Sequence, residues 1–248
     1  MKALSEITMA KVPEQSAAGV YRVDTLPFPN AISCLLVRDS DGWTLVDAGP
    51  LGSALRIQRA LAVLEVGPKD LSRIYLTHHH WDHIGGLPDV LWWATEAEVV
   101  ASEYEARVIS GRRPPDPYSS PLAPFVLGAR FYIWRQSIPP VAVDRVVQEG
   151  DSIAGFRVIA TPGHTLGHTS LLREQDGLLF AGDAFGSVPF KLRVGVRKEA
   201  CTDPAEAQRS AEKLVKEEFT TAVFSHGKPL TDDAKRRLSE IAVREHNE

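Results

Sequence analysis

Apolar residues in this chain come in short runs broken by turn formers, and only a few stretches carry them at helical spacing. Ile32 to Val37 and Trp43 to Val46 flank Asp39-Ser40-Asp41-Gly42, a pattern that predicts a hairpin. Ala54, Ile57, Leu61 and Leu64 recur every three or four positions, so Ser53 to Val66 is expected to be a helix stopped by Gly67-Pro68. Arg73 to Leu76 reads as a short strand that leads directly into a run of histidines. A strand at Glu98 to Ala101 is expected between helices at Pro88 to Trp93 and Glu103 to Ile109.

The second half repeats the alternation. Strands are expected at Arg145 to Gln148, Gly155 to Ala160, Thr169 to Arg173, Gly177 to Ala181 and Thr221 to Phe224. Asp203 as N-cap, Pro204 at the first helical position and Glu206 at the third predict a helix running to about Phe219. A charged helix from Asp232 to about His246 closes the chain. Strands clustered with helices in two successive halves suit two sheets packed face to face with helices outside.

Between the halves, 111–140 breaks the rhythm. Seven prolines (Pro114, Pro115, Pro117, Pro121, Pro124, Pro139, Pro140) alternate with Tyr118, Phe125, Phe131, Tyr132 and Trp134. Proline at that density breaks regular elements, and the aromatics make the piece too apolar for a free linker. It is expected to be an insertion folded over the domain, with one helical turn around Leu127 to Trp134. A substrate-facing lid, a dimer contact and a plain surface loop all remain open.

At 248 residues, with 44% hydrophobic and 24% charged, the chain can bury a substantial core, and one domain over residues 1–248 is expected. The net charge of −4, with basic residues scattered, offers no face for nucleic acid. No apolar run approaches the roughly 20 residues of a membrane span. Cys34 and Cys201 are too few and too far apart for a disulfide framework, and no leader-like segment opens the chain. A cytoplasmic location is the expectation.

Chemistry concentrates in His78-x-His80-x-Asp82-His83, four ligand-type residues within six positions. Imidazole mixed with carboxylate suits zinc, iron or manganese rather than calcium or magnesium, which prefer oxygen alone. A lone histidine in a loop is ordinarily structural, but crowding three imidazoles and a carboxylate on one turn is costly without a cation to share. His164, Asp183 and His226 also stand beside glycines and just beyond expected strands. Strand ends sharing one edge of a domain would bring these loops together.

The motif order carries a resemblance. His78-x-His80-x-Asp82-His83, Thr161-Pro162-Gly163-His164-Thr165-x-Gly167-His168-Thr169, Ala181-Gly182-Asp183 and Ser225-His226-Gly227, preceded by Leu45-Val46-Asp47-Ala48-Gly49, resemble the metallo-β-lactamase superfamily over nearly the whole chain. The resemblance implies an α/β (α+β) fold, a four-layer αββα sandwich of two mixed β-sheets flanked by helices, with a binuclear centre at one edge. It implies a first cation on His78, His80 and His164, a second on Asp82, His83 and His226, and Asp183 bridging the two. Two divalent cations are expected, zinc first, with iron or manganese as alternatives. His79 is then the variable position and should point away, His168 should be structural, and Asp47 should support the ligands by hydrogen bonding.

Two such cations lower the pKa of a shared water towards about 7 and stabilise an oxyanion, so the implied activity is hydrolysis, with Asp82 as catalytic proton shuttle. Departures from relatives narrow the substrate by subtraction. Asp183 stands at the strand-end motif, so the second-site cysteine of the commonest zinc β-lactamases is absent, and Cys201 lies too far along to match. The chain ends about 20 residues after His226, without the C-terminal helical domain of glyoxalase II enzymes. Phe185 stands where acyl-homoserine lactone lactonases carry a nearby tyrosine. A small-molecule ester, thioester or lactone is therefore the expected substrate. Phe28, Phe125, Phe131, Trp134, Phe185 and Phe190 are candidates for an apolar pocket or equally for core, and Lys191 and Arg193 for a carboxylate contact or plain surface charge. The rival readings are an oxidoreductase resembling mononuclear iron persulfide dioxygenases and a non-catalytic metal-binding protein.

Overall fold

The computed structural model describes residues 13–121, 123, 138–187 and 191–246. The first sheet has seven strands in chain order: β1 (Glu14–Ala17), β2 (Val20–Asp24), β3 (Ser33–Asp39), β4 (Gly42–Val46), β5 (Leu71–Leu76), β6 (Glu98–Ser102) and β7 (Arg145–Val147). β1 to β4 form an antiparallel meander, and β4 to β7 run parallel. Helices make the parallel crossovers: α1 (Ala54–Val63), the short α2 (Trp81–Ile84), α3 (Leu87–Trp93) and α4 (Glu103–Ile109).

The second sheet contains β8 (Ser152–Ile153), β9 (Phe156–Ala160), β10 (Thr169–Arg173), β11 (Leu178–Phe180) and, after an excursion, β14 (Thr221–Val223) parallel to β11. That excursion holds a small hairpin, β12 (Phe185–Ser187) with β13 (Leu192–Val194), and α5 (Pro204–Leu214); α6 (Ala234–His246) follows β14. Strand alternation explains the layering. Along β3, Leu35 and Val37 face a core shared with Phe156, Val158, Leu171 and Phe180 of the second sheet. Cys34 and Leu36 face the other way, against Ile57 and Leu61 of α1 and Leu87 and Val90 of α3. The second sheet behaves alike: Leu178 and Phe180 point to its partner sheet, while Leu179 meets Ala211 and Leu214 of α5 and Leu238 of α6. This is the four-layer αββα sandwich.

The expected hairpin, the three crossover helices and the strands of the second half lie within a few residues of their expected bounds. The N-terminal strands β1 and β2 and the β12–β13 hairpin were not expected from the pattern. α5 ends at Leu214 rather than Phe219, because its apolar face (Ala207, Ala211, Leu214) finishes there and Phe219 packs from the following turn. The expected helical turn at Leu127 to Trp134 lies outside the described residues. No helix among the described residues is long and apolar enough to cross a membrane.

Candidate metal centre

Topology collects the ligand-type residues. β4, β5 and β6 are parallel, so the chain leaves β5 at one edge of the first sheet, where His78, His80, Asp82 and His83 follow. β9 and β11 both run antiparallel to β10, and β14 runs parallel to β11, so His164, Asp183 and His226 all follow strands ending at one edge of the second sheet. The two edges are tied together: Thr169 N–H donates to the Thr77 carbonyl at 3.2 Å, and the Tyr75 hydroxyl meets Thr169 Oγ1 at 2.7 Å.

All seven residues converge. Three sets offer one ligand atom each within 4.8 Å of one another: His78, His80 and His164; His78, His83 and Asp183; Asp82, His83 and His226. Asp183 is the hub, its Oδ2 lying 3.2 Å from His164 Nε2, 3.3 Å from His226 Nε2 and 3.6 Å from His83 Nε2. Asp82 Oδ2 approaches His226 Nε2 at 3.2 Å, and His80 Nδ1 faces His164 Nε2 at 2.9 Å. His79 stands outside all three sets.

The far side of four of the five rings is held by the fold. His83 Nδ1 donates to Asp47 at 2.8 Å, His226 Nδ1 to the Ala31 carbonyl at 2.8 Å, and His164 Nδ1 to the Gly195 carbonyl at 3.2 Å. Thr77 gives its hydroxyl proton to Asp47, so it accepts from His78 Nδ1 at 3.0 Å. With Nδ1 donating on these four rings, Nε2 is the nitrogen turned towards the centre and left for a cation. That arrangement fits a cation. The buried atoms His78 Nε2, His83 Nε2 and Asp183 Oδ1 have no hydrogen-bond partner among the described residues, a cost that metal coordination removes.

Electrostatics divide the rings. Burial, then the neighbouring His83, His80 and His164, hold His78 well below the ordinary histidine range, so it stays neutral. Burial opposes charge on His226 as well, but Asp183 and Asp82 override it and push the ring up to about 10. Burial likewise opposes charge on His83, and Asp183, Asp47 and Asp82 raise it. His226 therefore carries a proton at pH 7 that a cation must displace, and affinity should fall as pH drops. Loading metal-free protein with zinc at pH 7 is expected to release protons. Calorimetry in two buffers of different ionisation enthalpy measures the release, and equal heats in both would contradict it.

His168 does not face the centre. Its Nδ1 donates to Thr161 Oγ1 at 2.8 Å, and its Nε2 accepts the Asp183 backbone N–H at 3.0 Å. Burial, then His164, lowers it to about 3, which keeps that nitrogen a neutral acceptor. Asp47 and Thr77 act behind His78 and His83, and Thr77 escapes a reading of the sequence although it directly precedes the cluster. The carbonyls of Ala31 and Gly195 carry no sequence signal.

Cys201, remote along the chain, folds back behind His164. Its Sγ lies 3.9 Å from His164 Nδ1, the nitrogen turned away from the centre, and belongs to none of the three ligand sets; burial pushes the thiol up to about 12. At the start of the insertion, Tyr118 brings its ring 5.5 Å from that of His80, and Ser119 donates to the Cys201 carbonyl at 2.8 Å. The expected aromatic pocket fares unevenly. Phe28 is 71% exposed, Phe185 on β12 is sealed into the core, and Phe125, Phe131, Trp134 and Phe190 lie outside the described residues. Lys191 is exposed just before β13, and Arg193 is half-buried on that strand.

A family profile described as the metallo-beta-lactamase superfamily matches residues 27–226. The uncharacterised protein YobT of Bacillus subtilis (strain 168) is 31% identical over 234 residues, covering 90% of this chain and 94% of its own. A probable metallo-hydrolase, YqjP, of the same organism is 28% identical, covering 83% of this chain and 71% of its own. A hydroxyacylglutathione hydrolase of Rhodopseudomonas palustris (strain BisB5) is 30% identical over 132 residues, 52% of this chain and 39% of that protein. Among solved structures, a metallo-β-lactamase family protein from Thermus thermophilus superposes with a TM-score of 0.69 at 25% identity, over 94% of this chain and 81% of that one. A class B3 di-zinc enzyme from an Alaskan soil metagenome shares the fold with a TM-score of 0.68 at 19% identity, over 98% and 94% of the two chains. A protein solved in a di-iron-bound form gives 0.62 at 25% identity, over 84% of this chain and 93% of that one.

Proposed function

This chain belongs to the metallo-β-lactamase superfamily, and from that premise we propose that it is a hydrolase that uses two divalent cations to cleave a small-molecule ester, thioester or lactone. The observation carrying this reading is the overlap of the three ligand sets through His78 and His83, which supports two adjoining cation positions over one. Zinc is the first candidate, with iron or manganese as alternatives, since neighbours of this fold are known in di-zinc and di-iron forms. When bound, such a pair supplies hydroxide at neutral pH and stabilises a developing oxyanion.

The chain's own residues define the rest. Five imidazoles and two carboxylates contribute only two negative charges, so a pair of divalent cations would leave the centre net positive towards an anionic transition state. Asp82 is the most exposed of the seven ligand-type residues, with 14% of its side chain exposed. Burial would raise it, but His83 and His226 hold it below the ordinary carboxylate range, so it can accept a proton and pass it to a leaving group. The partial match to a hydroxyacylglutathione hydrolase supports acyl transfer to water as the reaction class. The acidic net charge and recessed ligands favour a small substrate over a polymer.

Elemental analysis of purified protein coupled to a panel of chromogenic esters, thioesters and lactones tests this. About two cations per chain and chelator-sensitive hydrolysis of at least one class are expected. One iron per chain with oxygen uptake on glutathione persulfide would replace the reading with an oxidoreductase. Two cations without turnover on any member would leave a metal-binding protein.

A further inference from the structure

We propose that Glu105 is a positioning residue that fixes the geometry of one cation position, the one made by His78, His80 and His164, while leaving the other largely untouched. The inference rests on the two-cation reading above and adds a residue that the ligand motifs do not contain.

Glu105 is fully buried on α4, and its two carboxylate oxygens take four donors. Oε2 accepts the His79 backbone N–H at 2.8 Å and His79 Nδ1 at 2.6 Å. Oε1 accepts the Thr165 hydroxyl at 2.7 Å and the Gly167 N–H at 3.0 Å. His79 sits between the ligand-type residues His78 and His80, and Thr165 directly follows His164. One side chain therefore ties the loop after β5 on the first sheet to the loop after β9 on the second. A further bond from the same helix start, Ser102 Oγ to the Gly167 carbonyl at 2.7 Å, repeats the link.

The four partners are all donors, so only a carboxylate, with two oxygens that accept and none that donate, satisfies them together. Glutamine would turn an NH₂ group against one pair of donors and leave that loop unheld. A buried charge needs such partners, and these are placed where no ligand atom is used. They also give the middle histidine of the run a role. His79 points away from the ligand sets and anchors its own loop. The Asp82, His83 and His226 set is held by other means, through Asp47 and the Ala31 carbonyl, so it serves as an internal control within the same molecule.

Cobalt(II) titration of metal-free protein, followed by its visible spectrum and by equilibrium dialysis, makes the test. Wild type is expected to take two ions. Reference variants His80→Ala and His226→Ala define the spectrum of each position alone. Glu105→Gln is expected to lose affinity at the first position by about 10- to 100-fold, with the second changed by less than about threefold, so that its first bound ion gives the His80→Ala spectrum. Thr165→Val keeps the carboxylate and removes one bond; about a tenfold loss confined to the same position is expected, and it carries the test should Glu105→Gln not fold. Two unchanged affinities, or equal losses at both positions, would overturn the inference while the two-cation reading stood. A single cobalt ion in wild type would overturn that reading and the selectivity argued from it.

Discussion

Replacing Asp183 with alanine is expected to reduce hydrolysis about 1,000-fold and to drop metal content below two per chain. Its Oδ2 approaches the Nε2 atoms of His164, His226 and His83 together, at 3.2, 3.3 and 3.6 Å. Among the described residues, no other carboxylate meets rings of both cation positions at such distances. Losing the carboxylate would remove the charge that offsets the two proposed cations and the group that would space them. Several kcal/mol of charge stabilisation depend on those cations, and about 4 kcal/mol corresponds to about three powers of ten in rate. Asp183→Asn separates charge from shape, since the amide keeps the volume and one acceptor. Turnover measured beside elemental analysis should place it near the alanine variant. Either variant holding two cations at wild-type rate would remove Asp183 from the centre.

The ligand-type residues were legible because each announces itself twice, by residue type and by its place just after an apolar run. His164 follows Val158-Ile159-Ala160, and Asp183 follows Leu178-Leu179-Phe180-Ala181, so the sequence alone could put both at strand ends. The groups behind them were not legible. Backbone carbonyls of Ala31 and Gly195 have no side-chain signature, and Glu105 reads as an ordinary charge in the first turn of a helix. Only the packing of α4 between two loops reveals that this charge is buried.

β1 and β2 escaped for a different reason. Val20, Val23 and the buried Arg22 form a strand whose arginine pairs with Asp24 at 3.0 Å and bonds Ser33 at 2.6 Å. A buried charge within a strand breaks the alternation that pattern reading depends on. Phe185 and Cys201 show how little position along the chain fixes surroundings. The aromatic just after Asp183 is core rather than pocket, and Cys201, set aside as a ligand on sequence distance, joins no ligand set yet lies 3.9 Å from the His164 ring nitrogen. Sequence separation says little about two loops that a sheet brings to the same edge.

Gly163→Ala is expected to be the most damaging small substitution outside the ligands. Gly163 has φ +126°, a conformation that L side chains rarely adopt. A Cβ there would lie 2.0 Å from Ala207 N and 2.4 Å from Ala207 Cα, both backbone atoms in the first turns of α5. Neither can yield as a flexible side chain would. The loop is pinned from both sides, because the Asp203 N–H donates to the Gly163 carbonyl at 2.9 Å and Thr202 N–H to the His164 carbonyl at 3.0 Å. Relief therefore requires the loop and helix to separate, which carries His164 away from His78 and His80. Overpacking and an unfavourable backbone together should cost about 3 kcal/mol, a melting shift of about 6–12 °C for a chain of this size. Cation affinity at the His164 position should fall with it, whereas Asp82, His83 and His226, held from other loops, keep theirs. A thermal melt of the metal-free protein isolates the packing term, and cobalt titration reads the displaced ligand. An alanine variant that melted with wild type would mean that α5 and the loop before His164 are not in the contact that positions this ring.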